Sequence, residues 1–100
     1  MTITRIDEAG KVTLKADGWL DTASAPALGE AVDAVESAAE IVLDFEGVEY
    51  MASSGLRQVI AAAKKAKEMG AAFRVTGVEP GVMNIFAMTG IDKKLDIRAK

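Results

Sequence analysis

The spacing of hydrophobic residues changes repeatedly along this chain, and this feature restricts its fold more than any other. Near the N-terminus apolar and polar residues alternate on both sides of the turn Ala9-Gly10, which is the pattern of a β-hairpin with one solvated face. From Asp21 onward the apolar residues fall three and four positions apart, on one face of a helix. These residues are Ala25, Leu28, Val32, Val35 and Ala39. The sequence therefore predicts a hairpin followed by a helix.

The rest of the chain continues to alternate between strand and helix patterns. The apolar segment 41–45 predicts a central strand that is covered on both faces and ends at Gly47. Segment 56–66 predicts a second helix and segment 73–76 a further strand. Pro80 opens a short third helix. The pattern does not decide whether the final element, with Ile91, Leu95 and Ile97, is a helix or a strand. Connections this short predict an α/β fold: a mixed sheet of about four to five strands that opens with an antiparallel hairpin, with helices packed against it.

Composition excludes several kinds of chemistry. The 100 residues predict one domain, and they include no histidine and no cysteine. Ser-His-Asp and Cys-His catalysis therefore cannot be assembled, and neither can disulfides or zinc, haem and iron–sulfur sites that need imidazole or thiolate. An enzyme built from carboxylates and serine is the weakest hypothesis. We expect no catalytic residue, no cofactor and no enzymatic activity.

The charge of the chain argues against two classes of partner. The formal net charge is −3 and the pI is about 4.9, so the protein repels phosphate backbones and anionic lipid. Segment 1–8 contains acidic residues where a signal peptide has its apolar stretch, and no run approaches the ~18 apolar residues of a membrane span. We expect a cytoplasmic protein that binds neither nucleic acid nor membrane.

Two groups of charged residues have an ordinary structural interpretation. Asp44, Glu46 and Glu49 could in principle bind a hard cation through oxygen ligands. We favour solvated loop positions for the two glutamates, and we expect Asp44 to cap or hydrogen-bond a neighbouring loop, so no metal site is expected. Lysines 64, 65 and 67 near the end of the second long helix are typical of a solvated helix face, where the helix dipole favours cations.

The segment Ser53-Ser54-Gly55-Leu56 is the most informative one. A serine directly before a helix is usually an N-cap. However, the longer segment 50–57, placed after a buried strand ending in Asp44, resembles the signature of the STAS domain, and specifically of the bacterial anti-sigma factor antagonists. Segments 18–28, 77–86 and 89–93 are similar to further parts of that family, in the right order. The resemblance implies a single STAS domain over residues 1–100.

The resemblance also implies a phosphorylation switch. In that family the serine before the glycine, here Ser54, is phosphorylated by an anti-sigma factor with serine kinase activity, and a serine phosphatase acts on the phosphorylated form. The unphosphorylated form binds the anti-sigma factor and releases the sigma factor. A phosphate at a helix start meets free N–H groups and adds ~1.5 to 2 negative charges. One difference is Ala52, where family members often have aspartate.

The expected partner surface surrounds the start of the second long helix. Loops at the carboxyl ends of parallel strands meet at one edge of a sheet, which should bring distant segments together there. Arg57 should point outward, with Leu56, Val59 and Ile60 pointing inward. The predicted partner-binding residues are Asp21, Thr22, Tyr50, Met51, Ser53, Ser54, Gly55 and Arg57.

A second hypothesis assigns a different task to the same fold. Some STAS domains resemble this chain but serve as accessory subunits of ABC-type lipid transport complexes. Such a subunit would use the same helix surface without a phosphorylation cycle. Replacement of Ser54 by aspartate distinguishes the two, because only the switch predicts that the added charge weakens partner binding.

Overall fold

A computed structural model describes residues 1–100, and its helices and strands alternate as the spacing predicts. In chain order they are β1 (Thr2–Glu8), β2 (Lys11–Leu20), α1 (Ala25–Asp33), β3 (Glu40–Met51), α2 (Ser53–Glu68), β4 (Ala72–Val78), α3 (Pro80–Met88), a 3-10 helix (Ile91–Lys93) and β5 (Asp96–Ala99). The final element, whose type the sequence left open, is thus a strand. No helix is long and apolar enough to cross a membrane.

The five strands form one mixed sheet in the order β1-β2-β3-β4-β5. The β1–β2 pair is antiparallel and the other three pairs are parallel, which confirms the prediction of an opening hairpin. Glu8 pairs with Lys11, so the hairpin loop consists of Ala9 and Gly10 alone. Both have positive φ, 46° and 84°, as a two-residue turn that follows the twist of its strands requires.

The hydrophobic core lies on one face of the sheet. Leu14, Leu43 and Val75 are paired in register across β2, β3 and β4, and all three are fully buried within a cluster of 20 core residues. α1 packs against β1 and β2, and α2 against β3 and β4. Each parallel connection leads to the next strand in the same direction across the sheet. Because such connections are right-handed, every helix lies on the same side of the sheet. The large apolar residues of the strands therefore meet the helices there.

The opposite face of the sheet is polar, which corrects the expectation that β3 is covered on both faces. Asp44 pairs in register with Lys15 and Thr76, and none of the three is fully buried. Val42 is buried on this strand but lies outside the core cluster. It pairs in register with Arg74, whose aliphatic stem can cover it. The segment looked doubly buried because Val42 makes its apolar run continuous.

Ion pairs cross the polar face between β3, β4 and β5. Arg74 lies 3.3 Å from Glu40 and 3.2 Å from Asp96, which in turn lies 3.0 Å from Arg98. Hydrogen bonds from Arg98 first, and then from Arg74, lower the pKa of Asp96. All of these side chains keep contact with solvent, so water screens each pair and its contribution to the stability of the fold is small.

Two element boundaries differ from the sequence prediction. α1 ends at Asp33, before the predicted last face residue Ala39. Ala39 is exposed, and its N–H donates to the carbonyl of Gly10 at 2.7 Å, which ties this segment to the hairpin. β3 continues past Gly47 to Met51, with a register irregularity opposite Asp17. The last residues of β3 therefore belong to the sheet and not to a loop.

Candidate functional site

The carboxyl ends of β2 and β3 bring the predicted site segments together. Trp19 pairs with Tyr50 and Leu20 with Met51 in the parallel register. The N–H of Ala52 donates to the carbonyl of Leu20 at 2.9 Å, which extends the pairing one residue beyond β3. The loop after β2 and the start of α2 are therefore neighbours at this edge of the sheet.

The start of α2 has unpaired backbone donors. Ala52 is the N-cap, with an extended backbone (φ −89°, ψ 171°) and no side chain that could accept a hydrogen bond. The N–H groups of Gly55 and Leu56 donate to the carbonyl of Ala52 at 3.0 and 3.1 Å. Those of Ser53 and Ser54 have no acceptor within the protein. Two N–H groups therefore remain free at the positive end of a 16-residue helix.

The two serines of α2 differ in their surroundings. Ser53 is exposed and its hydroxyl has no hydrogen-bond partner, whereas Ser54 is half-buried. The Oγ of Ser54 lies 3.3 Å from the Oγ1 of Thr22, and either hydroxyl can be the donor. Thr22 itself is exposed. The structure thus joins two of the predicted partner-binding residues, from segments 32 positions apart, through one hydrogen bond.

A reciprocal pair of hydrogen bonds fixes the loop that holds Thr22. The N–H of Ser24 donates to Oδ1 of Asp21 at 3.0 Å, and the N–H of Asp21 donates to Oγ of Ser24 at 2.9 Å. The single hydroxyl proton of Ser24 has two acceptors within reach, the carbonyl oxygen of Trp19 at 2.6 Å and Oδ1 of Asp21 at 3.0 Å from Oγ. The backbone N–H of Ser24, followed by its hydroxyl, lowers the pKa of the Asp21 carboxyl. Asp21 therefore acts on the site by positioning Thr22.

Gly55 lets α2 pack directly onto the end of β2. A Cβ at this position would lie 2.6 Å from Cγ of Leu20 and 2.9 Å from its carbonyl oxygen, far closer than an ordinary contact. Gly55 is buried, and Met51 is only 1% exposed because it pairs with Leu20 and points into the core. The expectation that Gly55 and Met51 face a partner is therefore corrected, because both residues are buried beneath the exposed residues of the site.

Arg57 points away from the core, as predicted from the helical spacing. It is exposed and takes part in no ion pair within the protein. Leu56 is half-buried and Val59 fully buried, in agreement with the prediction, but Ile60 is 43% exposed and does not point inward. Arg57 is thus available to an acidic residue of a partner.

Trp19 also belongs to this surface, although it is not among the predicted partner-binding residues. Its side chain is 59% exposed and that of Tyr50 is 47% exposed. Their rings pack against each other with centroids 5.4 Å apart and planes tilted by 48°. The sequence contains the necessary signal, because Trp19 directly precedes the inward-facing Leu20 on an alternating strand. An exposed aromatic pair is typical of a protein-binding surface.

The three carboxylates Asp44, Glu46 and Glu49 all lie within β3 and not in a loop after it. Oδ1 of Asp44 accepts a hydrogen bond from the N–H of Glu46 at 3.0 Å, two residues along the same strand, so the donor is not in the neighbouring loop that the sequence predicted. Glu46 and Glu49 are exposed. No acidic cluster is arranged so that it could hold a metal ion.

Comparison with known proteins identifies the class of this fold and site. Residues 4–98 match the family model described as "Mlab, STAS domain", and the chain belongs to the STAS domain family. It is 31% identical to the anti-sigma-B factor antagonist of Bacillus subtilis (strain 168) over 84 residues. This matched region covers 83% of this chain and 77% of that protein.

Solved structures share the fold over nearly the whole chain. The crystal structure of an anti-sigma factor antagonist from Mycobacterium paratuberculosis superposes with a TM-score of 0.89 at 29% identity, covering 99% of this chain and 86% of that one. The Bacillus cell fate determinant SpoIIAA in its phosphorylated form superposes with a TM-score of 0.75, covering 96% of this chain and 90% of that one. At 15% identity the latter shows a common fold only.

Proposed function

We propose that this STAS protein is a cytoplasmic anti-sigma factor antagonist whose binding is switched by phosphorylation of Ser54. The unmodified form binds an anti-sigma factor and thereby releases a sigma factor. The phosphorylated form does not bind. The observation that supports this most directly is the position of the Ser54 hydroxyl, 3.3 Å from Thr22 at the start of α2 and beside two free backbone N–H groups. Relatives named as anti-sigma factor antagonists support the partner class.

The electrostatics of the helix start favour a phosphate on Ser54. The N–H groups of Ser53 and Ser54 are free to donate to phosphate oxygens, and the helix dipole places positive potential at the same point. A phosphate would change the net charge of the protein from −3 to about −5. The charge would be added at the surface and stabilised locally. The fold would therefore persist while the docking surface changes.

Ser54 is a better switch position than Ser53. The hydroxyl of Ser54 contacts Thr22 of the neighbouring loop, whereas that of Ser53 contacts nothing within the protein. A phosphate on Ser54 would displace Thr22 and place charge between the two segments that form the surface. A phosphate on Ser53 would affect only the helix start. Half-burial of Ser54 does not block a kinase, because Thr22, which lies against it, is itself exposed.

The proposed docking surface consists of the accessible residues around Ser54. They are Trp19, Asp21, Thr22, Tyr50, Ser53, Ser54 and Arg57. The aromatic pair Trp19–Tyr50 provides apolar area, and Arg57 provides an unpaired cation for an acidic partner residue. The protein itself acts as a regulatory binding partner and not as an enzyme. The anti-sigma factor supplies the serine kinase activity, and a separate serine phosphatase reverses the modification.

Phosphate mapping tests this proposal. The purified protein is incubated with ATP and the anti-sigma factor kinase from the same genome, and the site is located by mass spectrometry. We expect one phosphate on Ser54, none in Ser54→Ala, and normal labelling of the matched Ser53→Ala variant. Phosphate confined to Ser53 or Ser24 would contradict the assignment. Capture of an ABC-type ATPase in place of an anti-sigma factor, with the same yield for Ser54→Asp, would instead support the accessory-subunit hypothesis.

A further inference from the structure

A second surface feature lies away from the serines, between the C-terminal half of α2 and the segment after α3. It is a groove of about 460 Å³. Its apolar walls are formed by Ile60, Ala63, Ile91 and Leu95. Three lysines at positions 64, 67 and 94 complete the lining. None of these residues belongs to the proposed docking surface, so the groove is independent of the function proposed for Ser54.

The lysines of this groove are free to bind an external anion. Lys64, Lys67 and Lys94 take part in no ion pair within the protein, whereas their neighbour Lys65 lies 3.8 Å from Asp33 and donates to a backbone carbonyl. The nearby Asp96 is already paired with two arginines. The chain is acidic overall, with a net charge of −3. A concentration of unpaired cations around apolar side chains is therefore a distinct local feature.

The size of the groove distinguishes between possible occupants. Residues 60 to 67 of α2 span two helical turns, or about 10 Å. A stable protein interface uses roughly 20 to 30 residues on each side, and this groove offers only seven. Its volume lies within the range of small-molecule sites, about 300 to 1,000 Å³, which typically combine apolar walls with a few polar groups that orient the ligand. A small ligand fits these dimensions better than a partner protein.

We propose that this groove binds a free single-chain amphiphile with an anionic head, such as a fatty acid. The apolar tail would lie against Ile60, Ala63 and Leu95. The head group would lie among the ammonium groups of Lys64, Lys67 and Lys94, which as compact point charges suit a carboxylate or a phosphate monoester. The apolar walls of the groove select for a hydrocarbon tail, and the lysines select for a negatively charged head. A ligand therefore needs both the tail and the head to bind.

Titration with dodecanoate below its micelle concentration, followed by amide NMR shifts, tests this site. We expect saturable shifts confined to residues 60–67 and 91–95. Dodecyltrimethylammonium, with the same tail and a cationic head, and acetate, with the head alone, should cause no saturable shift. Binding of the cationic analogue with equal affinity, shifts scattered over the surface, or no saturable binding of dodecanoate would each overturn the proposal. Binding only to phosphatidylglycerol vesicles would overturn it in favour of a membrane surface.

Matched variants locate the ligand. Ile60→Ser should weaken dodecanoate binding about tenfold or more, because it removes an apolar wall. Ile6→Ser is the control, since Ile6 on β1 is 42% exposed and Ile60 is 43% exposed. Lys64→Glu and Lys67→Glu should each weaken binding about two- to fivefold, while Lys15→Glu on the polar face of the sheet should not. Equal effects of the groove variants and their controls would place the ligand elsewhere and refute the proposal.

Discussion

Replacement of Gly55 by alanine tests how the start of α2 is held in place. In most helices this substitution stabilises by up to ~1 kcal/mol, because alanine has the higher helix propensity. Here the new Cβ would lie 2.6 Å from Cγ of Leu20 and 2.9 Å from its carbonyl oxygen. That carbonyl accepts the N–H of Ala52 at 2.9 Å and cannot move without weakening the bond. The clash therefore involves backbone as well as side chain.

The expected net effect of Gly55→Ala is a loss of stability. Overpacking of this kind typically costs ~1 to 3 kcal/mol, which exceeds the propensity gain, particularly in the first turn of a helix. For a domain of this size each kcal/mol corresponds to roughly 4 to 8 °C in the melting temperature. We therefore expect Gly55→Ala to melt several degrees below the unmodified protein in thermal unfolding followed by circular dichroism.

Gly29 on α1 provides the matched control. A Cβ on Gly29 would lie 2.6 Å from Oε1 of Gln58, which is the flexible end of a side chain and can move away. Gly29→Ala should therefore have unchanged stability or gain up to ~1 kcal/mol. If Gly55→Ala were as stable as Gly29→Ala, then α2 would not be seated on the end of β2 as described, and the positions of Ser54 and Thr22 would not depend on this contact.

Further predictions concern the site directly. Ser54→Asp should unfold at the same urea concentration as the unmodified protein or at a slightly higher one, because a carboxylate at a helix N-terminus stabilises by ~0.3 to 1 kcal/mol. A large destabilisation would identify Ser54 as a structural cap. Hydrogen bonds lower the pKa of the Asp21 carboxyl below its ordinary 3.8, so its contribution to stability is present above that pH and is lost as the pH falls through the lowered pKa. Asp21→Asn should therefore reduce the loss of stability in acid, measured by urea unfolding at a series of pH values. An unchanged pH profile would contradict the role of Asp21 in the loop. Arg57→Ala should weaken binding to the anti-sigma factor in titration calorimetry while Lys67→Ala does not, and equal affinities would place the interface elsewhere. Trp19→Ala should cost more than ~1 kcal/mol of the same binding energy if the aromatic pair anchors the partner.

The spacing of apolar residues predicted the fold well, and its errors have identifiable causes. Period-two and helical patterns gave the order of strands and helices because burial on one face imposes those periods. Ala39 continued the helical spacing by coincidence, although its N–H bonds to Gly10 outside the helix. Val42 made β3 look buried on both faces, and only the register with its neighbours shows which side is polar. The four residues of β5 are too few for a period to be recognised.

The candidate site was predicted less completely, because it depends on contacts between distant segments. The motif located Ser54, but the hydrogen bond to Thr22 spans 32 residues and has no local signature. Ending β3 at Gly47 made Met51 look like a loop residue, whereas the strand continues through an irregularity and directs Met51 into the core. Gly55 was assigned to the surface because a close approach of Leu20 cannot be read from either segment alone.

The affinity of the two phosphorylation states for the anti-sigma factor is the most direct test of the proposed function. Protein phosphorylated at Ser54 and unmodified protein would be titrated separately into the anti-sigma factor in a calorimeter. Like charges brought together in an interface cost several kcal/mol, so we predict that the phosphorylated form binds at least about a hundredfold more weakly. Equal affinity of the two forms would contradict the switch.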